Sequence, residues 1–218
     1  MAHSTQSLAV RQAVEWLTTP APVPYEEALA VMDARANAIA KEGAPECVWL
    51  LEHPALYTAG TSADATEILT PNRFPVFKAG RGGRYTYHGP GQRVAYVMLD
   101  LTPRGRDVRA YVTALEDWLI ATLNELGVVG ERRPGAVGIF VRDAKIASIG
   151  VRVRRWVTLH GLSLNVAPNL EHFSAIVPCG LTDTEVTSLR ALGAETDMTR
   201  VDAALRKSFD RIFNAHAG

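Results

Sequence analysis

The chain has 218 residues, of which 47% are hydrophobic and 21% are charged. This composition is typical of a soluble globular protein, and no apolar run approaches the length that spans a bilayer, so a membrane protein is not expected. Lys plus Arg and Asp plus Glu number 23 each, which makes the net charge zero. No overall field therefore draws the chain to nucleic acid or to an anionic membrane.

The length and the N-terminus predict one domain in the cytoplasm. A chain of this size can bury one large core, so we expect a single domain over residues 1–218. Residues 1–7 are polar and lack the apolar core of a signal peptide, which predicts a loose N-terminus and a cytoplasmic protein. The two cysteines, Cys47 and Cys179, are too few for a disulfide framework and cannot alone make a metal site.

The first part of the chain predicts a strand, a helix and a buried strand. Residues 14–17 predict a short first strand, and Pro24 suits the start of a helix, where a missing N–H is tolerated. Residues 47–51 are a continuous apolar run, which predicts a strand buried on both faces with Cys47 as inert packing. Residues 55–73 predict an irregular connection. The apolar face expected on the helix consists of Tyr25, Leu29, Met32, Ala36 and Ile39.

The remainder predicts a sheet framed by two helices. Apolar residues at helical spacing over 108–126, followed by Gly127, predict a long helix, and Thr199 is expected to cap a final one. The predicted strands are residues 74–77, 94–101, 137–141, 145–153 and 156–166. The last three are separated by the turns Arg142-Asp143 and Arg154-Arg155, which predicts an antiparallel meander. This order of elements predicts a mixed α/β (α+β) fold with helices packed on a mixed, largely antiparallel sheet.

Residues 81–92, with the sequence Arg-Gly-Gly-Arg-Tyr-Thr-Tyr-His-Gly-Pro-Gly-Gln, are the strongest candidate for a binding segment. Four glycines and a proline exclude a helix interior and allow the backbone to approach a ligand closely. The polar side chains lead directly into an expected buried strand, which would hold such a loop rigid. An ordinary connection between strands is the alternative, and glycine-rich turns alone favour it.

Cys179 and Lys145 are the candidate catalytic pair. Cys179 stands in Val-Pro-Cys-Gly-Leu, an irregular setting that leaves a thiol uncrowded, although a free cysteine is more often a small buried hydrophobe. A reactive thiol needs a cation that stabilises its thiolate, and Lys145 lies in an apolar run. The alternative for Lys145 is a solvated lysine at a hairpin edge. His53, His88 and His160 are other candidate partners, and no HxxxH or CxxC spacing predicts a metal.

Four segments together resemble the lipoyl(octanoyl) transferase family. They are residues 81–92, Lys-Ile-Ala-Ser-Ile-Gly at 145–150, His-Gly-Leu-Ser-Leu-Asn at 160–165 and Pro-Cys-Gly-Leu at 178–181. The segment Glu-His-Pro-Ala-Leu-Tyr-Thr-Ala-Gly at 52–60 also looks like that family's early active-site segment. The resemblance runs over nearly the whole chain in the right order. It implies the catalytic fold shared with biotin and lipoate protein ligases.

The resemblance also implies a reaction. An enzyme of this family moves an octanoyl or lipoyl group from acyl carrier protein to a lysine of lipoyl domains, in 2-oxoacid dehydrogenase complexes and in the glycine-cleavage H protein. The thioester donor supplies the energy, so neither ATP nor a cofactor is expected. Cys179 would carry the acyl group, and Lys145 would lower the pKa of that thiol and then accept a proton from the incoming amine. We expect a monomer, with Arg152, Arg154 and Arg155 as a candidate docking patch for the acidic carrier protein.

The binding residues implied by the resemblance come from three segments. They are Arg81, Gly82, Gly83, Arg84, Tyr85, Thr86, Tyr87 and His88, then Ser148, Ile149 and Gly150, and finally Gly161, Leu162 and Ser163, with His53 and His160 as supporting candidates.

Two other readings of these residues remain open at this point. An ATP-dependent lipoate or biotin protein ligase also has a glycine-rich loop and a lysine, but it needs no thiol. A non-catalytic module that binds acylated carrier or lipoyl domains would need neither Cys179 nor Lys145 for chemistry. A cysteine protease or amidase lacks support, because the sequence shows no convincing Cys/His/Asn signature.

Overall fold

The computed structural model describes residues 13–177 and 185–214. Within these residues the strands form one large sheet and one small sheet. The large sheet has the spatial order β1 (Glu15–Thr18), β2 (Cys47–Leu51), β6 (Gln92–Met98), β10 (Val157–Asn165), β9 (Ala144–Arg154), β8 (Ala136–Val141) and β7 (Glu131–Arg133). The small sheet has the order β4 (Val76–Lys78), β3 (Leu56–Ala59) and β5 (Tyr85–His88). None of the described helices is long and apolar enough to cross a membrane.

The large sheet is mixed and mostly antiparallel, as predicted. β1 and β2 are parallel, whereas every other neighbouring pair in this sheet is antiparallel. The meander β8-β9-β10 is confirmed, with one shift: the second turn lies at Arg155 and Trp156, with φ of 53° and 65°. Two successive positive φ values are typical of the two-residue turn whose twist matches that of the flanking strands.

In the described part of the chain, three α-helices cover this sheet: α1 (Tyr25–Glu42), α2 (Val108–Glu125) and α3 (Met198–Phe209). α2 and α3 pack on one face, where their apolar side chains join the larger buried cluster. α1 packs on the other face. Side chains along β6 alternate accordingly, with Ala95 and Val97 towards α2 and with Val94 and Tyr96 on the α1 side.

The helix ends follow local hydrogen-bonding rules, with one correction. Gly127 follows α2 with φ of 75°, a conformation that glycine adopts without strain, as predicted. α3 is capped by Asp197, whose carboxylate accepts from the backbone N–H of Thr199 at 2.8 Å. The prediction that Thr199 is the cap was therefore wrong by two residues, because an aspartate further upstream offers the same kind of acceptor.

The small sheet corrects two predictions of irregular structure. Residues 55–73 contain β3 and a short 3₁₀ helix at Ala65–Glu67, and the glycine-rich segment contains β5. β5 pairs antiparallel with β3, so each of these strands depends on a partner about 28 residues away in sequence, as Thr58 pairs with Thr86. The backbone N–H of Gly82 donates to Val151 O at 3.0 Å, which joins the loop before β5 to the large sheet.

Candidate active site

A cleft of about 430 Å³ lies between the small sheet and the part of the large sheet that α1 leaves uncovered. The residues that border it come from α1, β5, β6, β8, β9 and β10 and from the loops after β3, before β5 and before β8. Its border comprises Tyr25, Ser62, Arg81, Gly83, Arg84, Thr86, His88, Val94, Tyr96, Gly135, Ala136, Val137, Lys145, Ser148, Ile149, Gly150, His160, Gly161, Leu162 and Ser163.

The predicted binding segments on β9 and β10 form the floor of this cleft. Ser148 pairs with Ser163 across the two strands, and Gly150 pairs with Gly161. These small residues leave space above the sheet. The intervening Leu162 has its side chain in the core beneath α2 and α3, so its main chain borders the cleft. Strand alternation therefore separates a floor of small residues from a core of large ones.

Lys145 reaches the cleft because β9 carries a β-bulge. Ile139 pairs with Ala147 but Phe140 pairs with Lys145, so β9 has one extra residue, Ile146, at this point. Such an extra residue re-aims the side chain beside it. Gly138 permits the arrangement, because a Cβ atom there would lie 2.7 Å from Lys145 Cε.

Lys145 is only 4% exposed, so the alternative of a solvated hairpin lysine is wrong. Its Nζ donates to Val137 O at 2.9 Å and lies 5.7 Å from the centre of the Phe140 ring. The main chain of Lys145 also bonds to the second described range, residues 185–214. Its N–H donates to Glu185 O at 2.7 Å, and its carbonyl accepts from Thr187 N at 2.9 Å. The lysine is thus fixed at both its main chain and its amine.

Cys179 lies outside the described residues, so its predicted place beside Lys145 is not visible. The described chain before this gap is anchored: Ile176 pairs with Ile68, and Val177 N donates to Glu67 O at 2.8 Å. Cys47 is completely buried, and burial raises its pKa to about 11. A thiol that holds its proton so strongly is inert packing, as predicted.

Arg81 holds the glycine-rich segment in shape. Its guanidinium donates to the carbonyls of Gly82 and Arg84 at 2.9 and 3.1 Å, and to the carbonyl and hydroxyl of Thr58 at 3.0 and 2.6 Å. Its stem packs over the floor, since a Cβ atom at Gly150 would lie 2.6 Å from Arg81 Cδ. The side chain therefore organises the loop as well as bordering the cleft.

The remaining residues of this segment divide according to strand alternation. Thr86 and His88 border the cleft, whereas Tyr85 and Tyr87 pack in a separate apolar cluster with Tyr57. Gly82 does not border the cleft either.

Two further residues of this segment lie nearer the open side of the cleft. Gly83 and Arg84 are exposed at the rim, and the Arg84 side chain forms an ion pair with Glu67. This pair ties the loop to the same residue whose carbonyl anchors Val177.

A chain of hydrogen bonds determines which nitrogen of His88 carries a proton. Asn165 Nδ2 donates to Thr187 O at 3.0 Å, so its Oδ1 is the acceptor for Gln92 Nε2 at 2.9 Å. Gln92 Oε1 must then accept from His88 Nδ1 at 2.7 Å. Burial, with a smaller effect of His53, lowers the pKa of His88 to about 3, so the ring is neutral and its Nε2 carries a lone pair.

His53 orients a tyrosine at the end of the cleft that contains His88. Its Nδ1 donates to Val23 O at 2.6 Å, so its Nε2 accepts the hydroxyl proton of Tyr96 at 2.7 Å. Burial lowers the pKa of His53 and raises that of Tyr96 well above its usual value, so both are neutral. His53 itself does not border the cleft and acts from behind Tyr96.

His160 borders the cleft in an unusual backbone conformation, with φ of 61° inside a strand. Non-glycine residues with such φ values are uncommon and cluster at functional sites. Burial, and then the positive charges of Arg81 and Arg152, lower the pKa of His160 to about 4. Among the described residues, no group of three or more His, Cys, Asp or Glu side chains could hold a metal ion.

Two tyrosines at this end were not predicted to be site residues. Tyr25 was expected in the apolar face of α1, but it borders the cleft, because a helical pattern does not distinguish a core from a cavity. Tyr96 follows the glycine-rich segment by four residues, and its position in the strand could have suggested it. Val137, whose carbonyl holds Lys145, carries no sequence signal of its role.

The chain matches the lipoyl protein ligase A/B catalytic domain family over residues 24–210. An octanoyltransferase of Parvibaculum lavamentivorans is 62% identical over 210 residues, which cover 93% of this chain and 93% of that protein. An octanoyltransferase of Caulobacter vibrioides is 59% identical over 208 residues, which cover 92% of each. The resemblance predicted from the motifs is therefore confirmed.

Solved structures share the fold. A crystal structure of lipoate-protein ligase A bound with ATP matches with a TM-score of 0.74 at 17% identity, covering 93% of this chain and 86% of that one. A biotin protein ligase from Aquifex aeolicus matches with a TM-score of 0.52 at 10% identity, covering 94% and 70%. These likenesses show the fold alone and confirm the predicted class. By sequence, the chain belongs to the octanoyltransferase family, acyltransferases of protein lipoylation, built on the catalytic fold of lipoate and biotin protein ligases.

Proposed function

We propose that this chain moves an octanoyl group from acyl carrier protein to the Nζ of a lipoyl-domain lysine, through a thioester on Cys179 assisted by Lys145. The acceptors are lipoyl domains of 2-oxoacid dehydrogenase complexes and the glycine-cleavage H protein. The enzyme works in the cytoplasm as a monomer and needs no ATP.

The placement of Lys145 is the observation that carries this proposal. A buried lysine amine borders a cleft whose floor is made of small residues, in a chain that belongs to the octanoyltransferases. Glu185, whose carbonyl accepts from the Lys145 N–H, follows Cys179 by six residues. Val177, anchored to Glu67, precedes Cys179 by two. Cys179 is therefore only a few residues from two anchored positions, one of which bonds directly to Lys145. This supports a thiol that works next to this lysine.

In the first half of the reaction, the Cys179 thiolate attacks the thioester carbonyl of the donor. The Lys145 ammonium stabilises this thiolate before the attack. The bond between the carbonyl carbon and the carrier sulfur then breaks, and the Lys145 ammonium gives its proton to the departing sulfur, so the carrier leaves as a thiol and the lysine amine becomes neutral. The acyl group is now held as a thioester on the enzyme.

In the second half, the acceptor amine attacks that thioester. A C–N bond forms, the bond to Cys179 breaks, and the proton lost by the amine passes to the neutral amine of Lys145. Since Lys145 gave up its proton in the first half of the reaction, the same residue can serve as the base. The regenerated pair is thiolate and ammonium.

The test is intact-protein mass spectrometry after mixing the pure enzyme with octanoyl-carrier protein, without ATP or acceptor. We expect a hydroxylamine-sensitive octanoyl mass on the Cys179 peptide, which an added lipoyl domain removes. Cys179→Ala should form no adduct, and the matched Cys47→Ser variant should form it normally. Modification of the acceptor that requires free octanoate and ATP, with no adduct on Cys179, would instead establish a ligase.

Carrier docking is proposed at Arg152 and Arg155, which are both exposed. Arg152 is close enough to the cleft for its charge to contribute to the lowered pKa of His160. Arg154 is less available, since it is bound to Asp33 at 3.3 Å and to Asn37 at 3.2 Å. Replacing Arg152 and Arg155 by alanine should raise the KM for carrier protein severalfold, with a weaker salt dependence, whereas Arg154→Ala should raise it less. An unchanged KM in the double variant would count against this surface.

A further inference from the structure

The closed end of the cleft contains a buried hydroxyl that no described residue satisfies. Tyr25 is 3% exposed and borders the cleft, and its Oη has no hydrogen-bond partner among the described side chains and main chain. A buried hydroxyl without a partner is costly, so such groups usually meet a ligand or an ordered water.

Two acceptor atoms border the same end. His88 presents the lone pair of Nε2, because its Nδ1 is committed to Gln92. The Tyr96 hydroxyl donates its hydrogen bond to His53, so its oxygen can only accept a hydrogen bond from a group in the cleft. The rings of Tyr25, His88 and Tyr96 all lie 5.5 to 5.8 Å from the ring of His53, which gathers them in one place. One donor and two acceptors are a set that binds a water molecule.

The direction of the substrate in the cleft follows from the proposed function, on which this inference rests. The carrier arm is attached to a protein and must leave by the exposed rim, which includes Ser62, Gly83 and Val137. Only the free end of the acyl chain can reach the closed end. An apolar tail is therefore directed at a polar cluster.

The length of the cleft suits an octanoyl chain. Tyr96 pairs with Gly161 and Gly161 with Gly150, which places Tyr96 two strands across and five residues along from Lys145. At the usual strand spacing and rise, their Cα atoms are roughly 15–20 Å apart. Both side chains project into this span. An extended octanoyl chain measures about 10 Å, given C–C bonds of about 1.5 Å.

We propose that Tyr25, His88 and Tyr96 form a polar stop that sets the acyl-chain length by holding a water against the methyl end of an octanoyl group. A longer hydrocarbon chain would displace this water. The Tyr25 hydroxyl would then be buried without a hydrogen-bond partner. Tyr25 is thus a specificity-determining residue. Its hydroxyl disfavours acyl chains that are longer than octanoyl.

The experiment measures kcat/KM for octanoyl- and decanoyl-carrier protein with the full chain. Tyr25→Phe keeps the ring and removes the hydroxyl, so we expect the decanoyl-to-octanoyl ratio to rise about tenfold, the discrimination typical of one unsatisfied buried group. Tyr111→Phe is the control, because its hydroxyl is also buried but lies outside this cleft, beside the Thr158 hydroxyl. Its ratio should equal that of the wild type. An unchanged ratio in Tyr25→Phe would overturn the inference.

A second comparison changes the substrate. A decanoyl chain with a terminal hydroxyl can bond to the polar stop, so the wild type should transfer it at least as fast as decanoyl, and Tyr25→Phe should lose this advantage. If the wild type transfers the hydroxylated chain many-fold more slowly, the end of the cleft is apolar and the inference fails. Failure of the proposed function looks different, since the wild type would then transfer octanoyl from carrier protein at no measurable rate.

Discussion

The two faces of the large sheet are built from the same strands but serve different purposes. Beneath α2 and α3, large apolar residues such as Leu119, Leu162 and Leu164 fill the space. On the other face, beside the part that α1 covers, the paired residues Ser148 with Ser163 and Gly150 with Gly161 leave space for the cleft. The filled face supplies burial energy and rigidity, and the open face uses that rigidity to hold a site. Stability and activity should therefore respond to different substitutions.

The largest effect is expected at Lys145 on the open face. Lys145→Met keeps much of the apolar stem but removes the amine, so kcat/KM for octanoyl transfer should fall by about 10²- to 10⁴-fold, as for loss of a general acid or base. The variant should fold normally. The control is Lys78→Met, since Lys78 is exposed on β4 and does not border the cleft. Activity of Lys145→Met within a few fold of the wild type would rule out the proposed role.

On the filled face, Leu119→Ala should lower the free energy of unfolding by about 2–5 kcal/mol, because Leu119 is completely buried and its removal leaves a cavity. Urea unfolding followed by circular dichroism measures this. The activity per folded molecule should stay close to that of the wild type. A loss of activity without a loss of stability would break the division between the two faces.

Gly150→Ala tests the floor of the cleft. The added methyl would lie 2.6 Å from Arg81 Cδ and must displace that side chain from its bonds to Thr58. We expect kcat/KM to fall about tenfold with little change in unfolding free energy, since a shift of the substrate site by a fraction of an ångström is costly. The double variant with Arg81→Ala should lose no more activity than Arg81→Ala alone. Additive losses would show that the methyl acts on something other than Arg81.

The smallest effect concerns acid. The pKa of His88 is lowered to about 3 in the folded protein, whereas an unfolded histidine has a pKa of about 6.5. Between these values the unfolded chain binds a proton that the folded one does not, so stability is complete above about pH 6.5 and falls as the pH drops, by about 1.4 kcal/mol per pH unit. In urea unfolding at about pH 6 and pH 5, His88→Gln should show a smaller fall by that amount. If the unfolding free energy of the wild type and of His88→Gln fell equally between these pH values, His88 would be protonated in the folded protein.

Elements with a strong periodic pattern were predicted well. β2 and α2 were recognised because a buried strand and an amphipathic helix leave a local signature. β3 and β5 were missed as strands, since each is short and is stabilised by the other. The cap of α3 was misplaced by two residues, because Asp197 and Thr199 are both good cap residues.

The candidate site was predicted in its parts more than in its arrangement. The glycine-rich segment, Lys145 and Ser148 were identified from motifs and do border one cleft. Tyr85 and Tyr87 belong to the same motif but point into a separate cluster, because alternate residues of a strand face opposite sides. Tyr25 was missed as a site residue, since its helical spacing is that of a core position.

The sequence by itself determined the family, the periodic elements and the candidacy of Cys179 and Lys145, because these depend on residue types and their local spacing. Only the tertiary structure decided that Lys145 is buried at a bulge, that His88 presents an unprotonated Nε2, and that Tyr25 turns a hydroxyl into the cleft. Each of these depends on partners that are distant in the chain, such as Val137, Asn165 and His53. Long-range register and hydrogen bonding leave no periodic trace, and they turned a set of motifs into a site.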